Sequence, residues 1–209
     1  MGEDRRFTRD ERRQQIIDTT LNLVAESGVT GTTLSRIASA VGVTTPALYA
    51  HFANRKDILL ASMEVLIERR TEMHRQARHG NALERLREIG LAHSELVASD
   101  DKSVIALFEF IAASPHEGLR ETLGDRHLLL VEEIAEIVRE GQSEGIILHE
   151  VDPQQVGWMI VSRAWTENVA YLMGVTDHWN QQRSNQMLDL IITSISTKAE
   201  PPAPNLGGC

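Results

Sequence analysis

Residues 33–52 read TLSRIASAVGVTTPALYAHF, and the fold of the chain is decided there. Thr33 precedes an apolar-periodic run through Leu34, Ile37, Ala38 and Val41, which predicts a short helix capped by the Thr33 hydroxyl. Gly42 follows where the chain needs a positive φ to turn. Thr44 caps a second helix, expected from about Thr45 to Phe52, with Pro46 in the first turn where a missing amide costs little. Two short helices joined by a tight glycine turn make a helix-turn-helix. Ala38 is small where the helices approach, and Val43 and Leu48 would pack inward. The second helix is too short to persist alone. It makes sense as a recognition helix that holds the core through Leu48 and Phe52 and leaves its other side for a DNA groove.

Upstream, Thr8-Arg9-Asp10-Glu11 has the capping-box form, so a first helix starts near Thr8. It shows an apolar stripe of Ile16, Ile17, Thr20, Leu21 and Val24, and Gly28 is its expected stop. Downstream, a long fourth helix begins near Lys56 or Asp57 and passes through Met63, Leu66 and Ile67 to about Arg78. Beyond Gly80 the spacing predicts helices over 81–98 and 102–113, a break at Ser114-Pro115 and a helical turn near 117–123. Further helices follow from Arg126 to Glu144, from Pro153 to about Met173, and over 180–197. No stretch alternates with period two. The class is all-α: a three-helix head at residues 1–55, a helical regulatory and dimerisation domain at 56–198, and a disordered Pro- and Gly-rich tail at 199–209.

With 42% hydrophobic and 24% charged residues in a chain of 209, the composition is that of a soluble globular protein. No apolar run approaches the roughly 20 residues a bilayer requires. The first residues lack the apolar stretch of a secretory signal, so the expected compartment is the cytoplasm. Cys209 is the sole cysteine, which excludes an internal disulfide and a thiolate metal site. Charge is split unevenly. Residues 1–56 carry a net +2 and the remainder a net −11, a cationic head on an acidic body.

From about Ile16 to Leu59 the chain resembles the N-terminal DNA-binding domain of TetR-family transcriptional regulators. The resemblance rests on Ile16, Leu21, Leu23 and Gly28, on Thr33, Ile37, Ala38, Val41, Gly42 and Val43, and on Leu48, Tyr49, His51, Phe52 and Leu59. Val24, Arg36 and Arg55 depart from the usual Phe, acidic residue and Lys. The resemblance implies a phosphate at the amide end of the second helix near Thr33. It implies further phosphate contacts from Thr44, Thr45, Tyr49, His51, Arg55 and Lys56, and base-edge contacts from Arg36, Thr45, Pro46 and Ala47. Arg5, Arg6, Arg9, Arg12 and Arg13 form either an arm reaching the minor groove or a solvated basic terminus.

The last two helices are apolar over more of their circumference than a monomer surface requires. That excess predicts a homodimer packed as a four-helix bundle, with Trp158, Met187, Leu188, Ile191 and Ile195 at the interface. A pocket between the fourth and eighth helices would involve Met63, Leu66, Leu96, Phe108, Phe110 and Trp165. Few cations lie on the expected apolar faces of the body, which favours a neutral or apolar small-molecule effector. There is no phosphate loop, no nucleophile elbow and no paired histidine ligands; His74 and His79 are five apart and face different ways. No enzyme activity, cofactor or metal is expected. The reading is a homodimeric repressor that binds an inverted repeat in double-stranded operator DNA and is released by a small molecule. Its alternatives are an activator or ligand-independent regulator, and a helical interaction protein that has lost DNA binding.

Overall fold

The computed structural model of the protein describes residues 7–76, 79–99, 101–113 and 118–197. Among them are the helices α1 (Arg9–Gly31), α2 (Leu34–Val41), α3 (Thr45–Leu48), α4 (Arg55–Gln76), α5 (Ala82–Ser99), α6 (Asp101–Ala112), α7 (Leu119–Ser143), α8 (Pro153–Leu172) and α9 (Gln181–Ile195). An antiparallel bridge between Ile147 and Ser196 pins the end of α9 to the α7–α8 loop. No described helix is long and apolar enough to cross a membrane.

Local chemistry sets the helix starts. The Thr8 hydroxyl accepts from the Glu11 amide at 3.2 Å, and the Glu11 carboxylate accepts from the Thr8 amide at 2.8 Å. Asn54 and Asp57 form a similar reciprocal pair at the start of α4, which is why that helix opens at Arg55. Asp152 and Asn180 cap α8 and α9 through their side-chain oxygens.

Three differences from the sequence reading have physical causes. Gly28 breaks α1 (φ 71°, ψ 169°), but the chain resumes a helical turn before Thr32. α3 ends at Leu48 rather than Phe52, and residues 49–51 form a turn closed by the Phe52 amide on the Leu48 carbonyl at 3.0 Å. The expected break between 123 and 126 is absent, since α7 runs unbroken from Leu119 to Ser143. Gly124 in its interior costs only about 1 kcal/mol relative to Ala. The Ser114-Pro115 break, Arg78 and the 199–209 tail lie outside the described residues.

Two compact units divide the chain: Met1–Glu72 with Leu96–Leu128, and Met73–Glu95 with Leu129–Cys209. The expected head boundary at 55/56 therefore falls inside the first unit. Its core gathers Ile16, Ile17, Ile37, Val41, Leu48 and Ile58 from four helices and Phe52 from the turn after α3, and α6 packs along α1. Leu48 and Phe52 are almost fully covered, at 1% and 5% exposure. At about 1.5–3 kcal/mol for each such side chain, this burial holds a four-residue helix that propensity alone would not. The second unit closes around Leu86, Ile134, Val138, Ile147, Ile160 and Ile191.

Candidate DNA interface and effector cavity

Gly42 adopts the left-handed conformation (φ 77°, ψ 34°) between α2 and α3, and its amide and that of Val43 cap the carbonyls of Ser39 and Ala38. With Leu48 and Phe52 turned into the core, α3 turns its opposite side to solvent. Thr44, Pro46, Ala47 and Tyr49 are exposed, Tyr49 at 53%, and Thr45 is half-buried beside them. Thr44 makes no capping hydrogen bond with its side chain. The Thr33 hydroxyl caps α2 by accepting from the Arg36 amide at 3.3 Å. Lys56 is exposed at the start of α4, alongside Gly118. These surfaces present hydroxyls, one ammonium and apolar atoms, the groups needed for phosphate and base-edge contact.

The cationic residues divide differently from expectation. Arg55 is half-buried, and its Nε donates to the Thr32 carbonyl at 2.8 Å while Nη2 donates to the Val29 carbonyl. It satisfies orphan acceptors at the end of α1, which makes it a positioning residue for α4. Arg36 is exposed and donates to the Gly31 carbonyl at 2.9 Å. Arg9, Arg12 and Arg13 are part of α1 and not of an arm, because the Thr8 cap starts the helix ahead of them. Arg13 donates to the His51 carbonyl at 3.2 Å and stacks over the Phe52 ring at 4.1 Å, and Arg9 makes a longer contact of 3.5 Å to the Ala50 carbonyl. Together they clamp the turn after α3 against α1. Arg12 stacks over Phe7 at 4.4 Å. Arg5 and Arg6 lie outside the described residues. His51 is half-buried, and its Nδ1 has no hydrogen-bond partner among the described residues.

A cavity of about 150 Å³ lies within the first unit, lined by side chains of α1, α4, α6 and the end of α5. Of the six expected effector contacts, Leu66 and Leu96 line it. Met63 and Phe110 are fully buried core residues and Phe108 is half-buried; none of the three is in the lining. Trp165 packs against the core of the second unit. The reading missed Arg69, Arg70, Lys102 and Ser103, which also line the cavity. Arg70 follows Leu66 by one helical turn, a spacing that could have placed it on the same inward face.

A second buried guanidinium lies in the second unit. Arg163 is 0% exposed and donates to the Gly90 carbonyl at 2.7 Å, the Ser94 hydroxyl at 3.3 Å and the Ser184 hydroxyl. Glu167, one turn on, lies 3.4 Å from it and accepts from Ser94 at 2.6 Å. Burial pushes the Arg163 pKa down and Glu167 pulls it back up; an arginine so placed stays charged. The network ties α5, α8 and α9 together. Arg70 and Arg163 thus put cations on faces of the body that the sequence pattern had left apolar.

Of the five residues expected at a dimer interface, Leu188, Ile191 and Ile195 are covered within this chain, at 0%, 4% and 3% exposure. Trp158 and Met187 are exposed, as are Met159, Leu172, Met173 and Leu190. α9 spends one stripe on its own core and shows another to solvent. Among the described residues no three His, Cys, Asp or Glu side chains cluster as a metal site would require.

The buried pivot of α3, its solvent-facing outer surface and the all-helical body define a helix-turn-helix transcriptional regulator. Residues 16–62 match the profile of the bacterial regulatory proteins, tetR family, so the head of the chain carries the domain that profile describes. It is similar to the fatty acid metabolism regulator protein of Bacillus subtilis (strain 168), with 27% identity over 188 residues that cover 88% of this chain and 95% of that one. Two solved structures share the fold. The fatty acid degradation regulator FadR from Bacillus halodurans superposes with a TM-score of 0.70 at 22% identity, covering 86% of this chain and 97% of its own. AibR, solved with isovaleryl coenzyme A and operator DNA, superposes with a TM-score of 0.63 at 23% identity, covering 88% and 98%.

Proposed function

We propose that the protein is a homodimeric repressor whose α3 reads an operator and whose affinity for it is lowered by a small molecule. The observation that carries this reading is α3 itself, four helical residues that the core holds through Leu48 while the outer surface remains uncovered. Thr44, Thr45, Tyr49, His51 and Lys56 are assigned to phosphates, and Thr45, Pro46 and Ala47 to base edges. Thr33 serves as the cap that orients the α2 amides towards a phosphate. Arg36 reaches a base edge if it leaves the Gly31 carbonyl, and Arg55 acts by fixing α4 on α1.

Dimerisation rests on the exposed apolar side chains of α8 and α9, Trp158, Met159, Leu172, Met187 and Leu190 among them. A single head with few base contacts binds poorly, so two heads reading half-sites about one helical turn apart, or a multiple of it, supply the specificity. Small-molecule release is supported by the relatives: one regulates fatty acid metabolism, and another was solved with an acyl coenzyme A and its operator.

A mobility-shift titration tests the reading, using the DNA upstream of the protein's own gene beside random DNA of equal length. Retardation of the upstream fragment at least a hundredfold tighter than the random one is expected. Equal affinity for the two would leave only a non-specific DNA binder, and no retardation would leave a helical interaction protein.

A further inference from the structure

We propose that the cavity between α1, α4 and α6 is the effector site and takes a short-chain aliphatic carboxylate, with the carboxyl group at Arg70 and Lys102 and the chain against Leu66, Leu96 and Ala106. The regulatory half of this proposal rests on the repressor reading; the binding half stands without it.

Size comes first. A cavity of about 150 Å³ accommodates a molecule of about benzene size, and butyrate is of that order, whereas a whole coenzyme or a steroid is far too large. Charge comes second. Three cations line the cavity, Arg69, Arg70 and Lys102, against the single carboxylate of Asp18. Arg69 is engaged with Asp18 at 2.6 Å and Lys102 with Glu26 at 3.6 Å, but all four side chains are about half exposed. Such solvated pairs contribute little, so a ligand carboxylate displaces them at small cost. Arg70 also lines the cavity: it is 8% exposed and its Nη1 donates to the Ser103 hydroxyl, itself buried, at 3.1 Å, so a planar guanidinium forms part of the wall of a partly aliphatic space. Position comes third. α1 supplies one wall, and the same helix carries Arg9 and Arg13, which clamp the turn after α3. A ligand bridging α1, α4 and α6 therefore bears on the helix that orients the reading head.

Calorimetric titration of the free, full-length protein with sodium butyrate tests the site. Saturable one-to-one binding is expected, with a Kd on the order of 1 mM for so small a ligand. Inorganic phosphate (charge without a chain) and 1-butanol (chain without a charge) should bind at least tenfold more weakly. Arg70→Gln should weaken butyrate at least tenfold. Should that variant fail to fold, Ala106→Leu, which fills the space without touching a charge, should abolish binding while the circular dichroism spectrum stays helical. Absence of saturable butyrate binding, phosphate binding as tight as butyrate, or an Ala106→Leu protein that binds as wild type would each overturn the site. Saturating butyrate should then weaken operator binding at least fivefold, and unchanged operator affinity would overturn the effector role. Because the binding titration contains no DNA, its failure is distinguishable from failure of the repressor reading.

Discussion

Arg55 reaches back across 23 residues to donate from Nε to the Thr32 carbonyl at 2.8 Å, joining the first turn of α4 to the end of α1. The contact gives the residue a task within the head itself. A guanidinium engaged with two backbone acceptors holds the geometry of the head, and the nearby Lys56 is exposed, as its proposed phosphate contact requires.

Arg55→Ala should destabilise the protein by about 1–3 kcal/mol, the scale of hydrogen bonds from a charged donor to the carbonyls of two buried residues, Thr32 and Val29. It should weaken DNA binding through that loss while leaving the salt dependence unchanged. Lys56→Ala should have the opposite signature: little change in thermal stability, and a slope of log affinity against log salt reduced by about one ion per subunit. A reduced slope in Arg55→Ala would return that residue to the phosphate backbone.

Along α3, the side chains should separate by kind of loss. Tyr49→Phe should weaken specific and random DNA together, since its hydroxyl is assigned to a phosphate. Thr45→Ala should alter which base is preferred at one position of each half-site, by about 1–3 kcal/mol for a lost base contact. Binding-site selection from randomised DNA reads both effects. An unaltered preference in Thr45→Ala would place the reading face elsewhere on the helix.

Two substitutions on α9 should part company. Leu190 is 70% exposed, so Leu190→Asp should give a folded monomer by sedimentation, as should Trp158→Asp on α8. Ile191 is 4% exposed within its own chain. Ile191→Asp should therefore unfold the second unit, at a cost of at least about 3 kcal/mol for a charge buried without a partner. A dimeric Trp158→Asp, Leu190→Asp double variant would remove this face from the interface.

Removing Arg163 should be among the most damaging single changes. Arg163→Met leaves the Glu167 carboxylate buried without its cation, at a cost of about 3–5 kcal/mol. Adding Glu167→Gln should recover part of the loss, because the orphaned charge disappears. Urea unfolding of the two variants checks the order, and a double variant no more stable than the single one would show that the charge is not what costs.

His127 gives a pH dependence of known sign. Burial lowers its pKa below 6.5 in the folded protein, so as pH falls through 6.5 the unfolded chain takes up the proton first. Its contribution to stability is intact above pH 6.5 and is lost progressively below it. His127→Gln should flatten the fall in Tm between about pH 6.5 and 5. An unchanged profile would mean that other groups govern the acid side.

Local rules settled the head. The Thr8–Glu11 box, the Thr33 cap, Gly42 and Pro46 each act over four residues or fewer, and together they determined a helix-turn-helix with Leu48 and Phe52 turned inward. Periodicity likewise determined an all-helical body, because a 3.6-residue repeat needs no knowledge of the partner face. Which face meets which partner is not local. Ile191 and Leu190 are neighbours of similar apolarity, and only packing against Ile160 and Leu86 distinguishes the buried one from the exposed one. The arginines show the same limit. Arg9, Arg13 and Arg55 carry the charge that suits a phosphate, but within the protein they donate to carbonyl oxygens left open at the end of α1 and after α3, and the fold alone brings those acceptors within reach. Arg70 and Arg163 are hidden in the sequence for the same reason. A guanidinium can be buried only where hydroxyls, carbonyls or a carboxylate from other helices converge on it, and that convergence is made by tertiary structure.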